Sequence, residues 1–189
     1  MADADGMEGS GRTRGIAAMI EGFFAIMWFG WGQAEAPSWL STPLGIGSAA
    51  GAVLAIAGLV LTIRSKGQHT AMRDAAVRRR YNIIVGVEFA LLAAGAALLS
   101  AVGLAHWIPV WVCAGVGIHF VPLSGVFRHL LLVPVGLLIT AVAAAALIVG
   151  LSTSVAPSSV TGPGAGICLL VAGIIHLSGL LPRTAQPDE

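Results

Sequence analysis

Apolar residues in this chain fall in long unbroken runs, not in alternating or every-third-residue patterns. Six runs stand out, at roughly 15–33, 43–63, 81–104, 107–127, 130–151 and 161–181. Each reaches the length of about 20 mostly apolar residues that a helix needs to cross hydrocarbon. Continuous runs favour helices over strands, because backbone groups in lipid must bond within their own segment. The pattern predicts an all-α integral membrane protein with six transmembrane helices forming one domain over 15–181. Residues 1–14 are acidic and glycine-rich before their two arginines and are expected to be a disordered tail. They lack the basic start of a cleavable signal peptide, so no cleavage is expected. Residues 182–189 form a second short tail.

Charge adds orientation. The 10 basic residues are Arg12, Arg14, Arg64, Lys66, Arg73, Arg78, Arg79, Arg80, Arg128 and Arg183. With six spans, all of them map to one side. The excess of basic residues on cytoplasmic loops then predicts that both termini lie in the cytoplasm, in a plasma membrane. The 5 tryptophans, Trp28, Trp31, Trp39, Trp107 and Trp111, map to the opposite end, where an aromatic belt is expected. Between the second and third spans, Thr70 is placed to cap a helix, and Asp74 and Arg78 are spaced to pair on one face. Arg78, Arg79 and Arg80 then sit at headgroup level, chiefly as a topology determinant, with a lipid or partner site as the lesser reading.

Small residues mark packing faces. Gly47, Gly51 and Gly58 share a stripe with Ala55 on the second span, and Gly47 and Gly51 form a GxxxG pair. Such stripes let two backbones approach closely. The partner helix is in the same chain or in a second copy, so a homo-oligomer through Gly47 and Gly51 is one expectation.

Four ionisable residues fall well inside the spans: Glu21, Glu88, His119 and His176. Ionisable groups at this depth are expensive and read as functional by default. Counting inward at about 1.5 Å per residue puts all four roughly 8–12 Å from the basic end of the bundle. They are expected to form one polar layer. Pro122 cannot donate to the carbonyl of Ile118, which leaves that oxygen beside His119 for Ser124, the imidazole or a water. Glu21, Glu88, His119, His176, Ile118 and Ser124 are therefore the candidate path for a proton or substrate. The alternative is that the Glu and His groups are interhelical glue. A weak internal echo joins Glu21 to Glu88 and His119 to His176, each in a similar local sequence.

Composition narrows the classes. The chain is 57% hydrophobic and 10% charged, against about 25% charged in soluble domains. A net charge of +1 leaves no basic face for nucleic acid. Cys113 and Cys168 lie within apolar runs and imply no disulfide-stapled domain. HExxH, paired CxxC and the nucleophile elbow do not occur. Imidazole with carboxylate suits zinc and similar ions, but no metal, cofactor or enzymatic activity is expected. The lipid bilayer is the expected partner.

The segment Gly117-Ile118-His119-Phe120-Val121-Pro122-Leu123, ending in Val126-Phe127-Arg128, resembles one in small bacterial multi-pass integral membrane proteins. There a Gly-x-His-Phe-x-Pro-Leu helix follows a helix with an early Glu, as Glu88 is here. The resemblance covers about 78–130 and implies fold and location, with no activity attached. The functional expectation is permease-like movement of a proton, cation or small solute through the Glu/His layer. The alternative is a structural or interaction protein that transports nothing.

Overall fold

The computed structural model describes residues 2–65, 75–127 and 131–179. They form six helices: α1 (Ala2–Gln33), α2 (Ser38–Arg64), α3 (Ala75–Ala101), α4 (Ile108–Phe127), α5 (Leu132–Ser152) and α6 (Ser158–Ser178). A short 3-10 turn, Ala105–Trp107, leads into α4. All six are long and apolar enough to cross a membrane.

The boundaries depart from expectation in an instructive way. α2 and α6 begin several residues early, with Pro43 and Pro163 inside them. A proline near a helix start removes only one backbone bond, so it need not mark the start itself. α1 continues back to Ala2, so the helix begins within the stretch read as a tail. No proline interrupts this stretch, and extending a formed helix costs far less than nucleating one. The Thr70 cap, the Asp74 partner of Arg78, the Arg128-His129 turn and the tail 182–189 lie outside the described residues.

α6 is the hub. It packs with α1 and α2 on one side and with α4 and α5 on the other, while α3 leans chiefly on α4. Ser158, Thr161, Ala165, Leu169, Ala172 and His176 are buried along α6 at steps of three and four. That spacing keeps one helical face turned inward over the whole span. By contrast, no residue of α3 is buried. The outward faces carry Ile46, Val53, Ile56, Leu98, Ile148 and Leu151, all exposed. In lipid such faces need no cover, so helix association rests on close packing of small residues.

The glycines of α2 show how close that packing is. A Cβ on Gly58 would lie 2.5 Å from the Met19 nitrogen, and one on Gly22 would lie 2.5 Å from the Ala55 nitrogen. Gly51 abuts the Gly22 carbonyl, and Gly47 lies under the Phe29 ring. The Gly47, Gly51 and Gly58 stripe is therefore occupied by α1 of the same chain. Gly47 and Gly51 thus meet α1 of the same chain at Phe29, Gly22 and Ile26.

The two ends of the bundle differ. Arg12, Arg14, Arg64, Arg78, Arg79 and Arg80 gather at one end, where α1 and α3 have their N-terminal parts and α2 finishes. At the opposite end Glu35 is the one formally charged side chain among the described residues. Trp39 is 73% exposed there, as a belt residue would be, but Trp28 is buried and belongs to the core. It stacks on Trp31 with ring centroids 5.5 Å apart.

Candidate functional site: two glutamate–histidine pairs

Glu21 lies on the face of α1 that carries Ala18 and Ala25, both completely buried. These small neighbours bring α6 close enough for a direct side-chain contact. His176 reaches across from α6, and its Nδ1 stands 2.8 Å from Glu21 Oε2 in a buried hydrogen bond. Whichever of the two carries the proton donates it to the other. The side chains are 6% and 8% exposed, respectively, for His176 and Glu21.

Further polar contacts bracket this pair along the α1–α6 seam. Arg14, two turns before Glu21, donates through Nε to the His176 carbonyl at 2.8 Å and through a second guanidinium nitrogen to the Leu177 carbonyl. These are carbonyls in the last turn of α6, where no intrahelical donor remains. Gly179 ends the helix at φ +69°, a left-handed conformation that glycine adopts without strain. A Cβ there would also sit 2.7 Å from the Arg14 guanidinium. At the other end of α6, Ser158 donates to Glu35 Oε2 at 2.9 Å and Ser159 to the Glu35 carbonyl at 3.3 Å. A cation thus meets the C-terminus of α6 and an anion its N-terminus, both favourable with the helix macrodipole.

The second pair lies between α3 and α4. His119 Nδ1 is 2.9 Å from Glu88 Oε2, and the side chains are 11% and 13% exposed. The distance suits an ion pair, but the groups are not aligned for a hydrogen bond, and His119 Nδ1 is buried without one. Above this pair, Leu92 packs over Gly115, and the Trp111 indole covers Gly95. Trp111 Nε1 donates to the Leu92 carbonyl at 3.2 Å. The interface is an antiparallel ladder of 88 with 119, 92 with 115 and 95 with 111.

The four expected residues therefore divide between two interfaces, Glu21 with His176 and Glu88 with His119. Two surface grooves are lined, one by Met19, Ile20, Phe23, Phe24, Ala55, Ile56 and Leu59, the other by residues around Arg80 and Pro122; neither includes any of the four. Ile118 turns its side chain outward, 60% exposed. Ser124 donates to the Val121 carbonyl at 2.7 Å, within its own helix and not to the Ile118 oxygen. Cys113 and Cys168 are free, and Cys113 donates to the Ile139 carbonyl at 3.4 Å. Among the described residues, no group of three or more His, Cys, Asp and Glu side chains is placed to hold a metal ion.

From the sequence Arg14 was read only as an orienting charge and Trp111 only as a belt residue, and Glu35, Ser158 and Ser159 were not singled out. A signal existed for Arg14, which lies seven residues before Glu21 and so shares its face. No comparable signal linked Glu35 to the distant start of α6. Comparison with protein-family models, with curated proteins and with solved structures finds no match. The resemblance over 78–130 thus rests on its motif alone.

Proposed function

We propose that this is a structural or interaction protein of the membrane that transports nothing, and that its Glu–His pairs latch helices together. The observation that carries the reading is the pairing itself. Each of the two carboxylates faces one imidazole across one helix interface, at 2.8 Å and 2.9 Å. A proton or cation path needs polar groups in series along a wet route, whereas these groups are divided between α1–α6 and α3–α4. A polar group inside hydrocarbon needs a partner, and pairing across an interface supplies it while fixing which helices adjoin. The Arg14 and Glu35 contacts at the two ends of α6 support the same reading, since they add register to that seam.

The protein resides, in this reading, in a plasma membrane with both termini cytoplasmic. The gathering of arginines at one end of the bundle supports that orientation. The test is flux. Proteoliposomes holding the wild-type chain should leak protons and monovalent cations no faster than empty vesicles. Glu88→Gln and His119→Gln should leave that baseline unchanged. A wild-type flux above the baseline that either substitution abolishes would overturn the proposal and restore the permease-like reading.

A further inference from the structure

We infer that the groove between α3 and α4 at the arginine-rich end holds one anionic phospholipid of the adjacent leaflet. The groove is lined by Arg80, Ile83, Ile84, Pro122, Gly125 and Val126. Its chemistry changes along its length. Arg80 stands at the mouth with Val126 level with it across the groove, and one turn deeper, about 5 Å along the helix, the walls are Ile83, Ile84 and Pro122. That matches a lipid whose phosphate lies at the headgroup level and whose first methylenes lie below it.

The open space has a cause in the sequence. Among the described residues nothing lies within 4 Å of where a Gly125 Cβ would be, so its missing side chain leaves the slot unfilled. Pro122 and Gly125 are both exposed on the α4 side, and no residue of α3 is fully buried. Charge selects the occupant. Arg78 and Arg79 precede Arg80 at the start of α3, and the first described carboxylate deeper on that helix is Glu88, held against His119. A guanidinium is a planar fork of donors well matched to a phosphate. A zwitterionic lipid offers the same tails with no net charge to attract. The apolar groove between α1 and α2 has no such charged mouth and selects nothing.

Native mass spectrometry of the full chain in detergent micelles, titrated with dioleoyl phosphatidylglycerol or dioleoyl phosphatidylcholine, tests this. Phosphatidylglycerol should bind with the higher affinity. Arg80→Gln should weaken it about fivefold, the factor expected for one arginine near an anionic headgroup, and leave phosphatidylcholine unchanged. Gly125→Leu should fill the slot and weaken both lipids. Arg64→Gln, at the same end of the bundle on α2 but outside the groove, should stay within about twofold of wild type, less than the single-arginine effect. Free glycerol phosphate should not displace the lipid. Equal binding of the two lipids, wild-type affinity in Arg80→Gln, an Arg64→Gln loss as large as that of Arg80→Gln, or displacement by glycerol phosphate would each overturn the assignment.

Discussion

Replacing the partners of the two Glu–His pairs, singly and together, should give two different coupling energies from the same pair of residue types. In the α1–α6 pair the imidazole and carboxylate are hydrogen-bonded at 2.8 Å and at most 8% exposed. Interhelical hydrogen bonds in membranes couple by about 0.6 kcal/mol on average and about 1.7 at most. Alignment and burial place Glu21–His176 toward the upper end, at about 1–1.5 kcal/mol. The α3–α4 pair has the distance without the alignment, on a helix with no buried residue. Its coupling should fall below about 0.5 kcal/mol. Single substitutions separate further, because His176→Ala removes a packed ring from the hub helix and strands the Glu21 carboxyl. Together these cost about 2–4 kcal/mol, against about 1 kcal/mol or less for His119→Ala, whose ring already lacks an aligned bond. The assay is equilibrium unfolding in mixed micelles titrated with a denaturing detergent, run as two double-mutant cycles. Equal couplings, or a larger one for Glu88–His119, would refute the argument that alignment and burial set the strength of these contacts.

The remaining expectations concern packing and helix ends. Gly58→Ala places a methyl 2.5 Å from the Met19 nitrogen, so it should destabilise by about 1–3 kcal/mol in the same unfolding assay. Gly86→Ala meets open space on α3 and should be neutral or stabilise by up to about 1 kcal/mol. Gly179→Ala forces a left-handed residue with a Cβ against Arg14 and should cost about 1–2 kcal/mol, whereas Ser178→Ala at the neighbouring position should cost less. Trp111→Phe loses the donor to the Leu92 carbonyl and should lower stability by about 0.5–1.5 kcal/mol. Hydrogen exchange should report that loss first in α3.

Much of the architecture was legible because hydrocarbon imposes it. Runs of about 20 apolar residues have few alternatives to a spanning helix, and the runs at 107–127 and 130–151 match α4 and α5 closely. The starts of α2 and α6 lie outside the apolar runs because these helices begin in more polar sequence, at Ser38 and Ser158. Depth was also legible, since each Glu lies across from a His placed at a similar depth. What depth alone does not contain is azimuth and neighbour. Glu88 and His119 lie on consecutive helices, so their meeting follows from a hairpin. Glu21 and His176 meet only because the first helix closes against the sixth, a contact set by the whole bundle. Gly47 and Gly51 show the same limit: a small-residue stripe announces a close partner and not whose helix it is.

The order of synthesis gives α6 a consequence of its own. It follows the other five helices out of the ribosome, yet both halves of the bundle are built against it. Until it arrives, α1 lies in the bilayer with Glu21 facing no imidazole. An unmatched carboxyl in hydrocarbon is costly, so a nascent chain halted before α6 carries a chemical mark of incompleteness. Arrival of α6 erases that mark in one step, as Arg14 and Glu35 take hold of its two ends. A membrane quality-control protease that senses exposed intramembrane polarity would thus distinguish chains with α6 docked from chains without it by a single side chain.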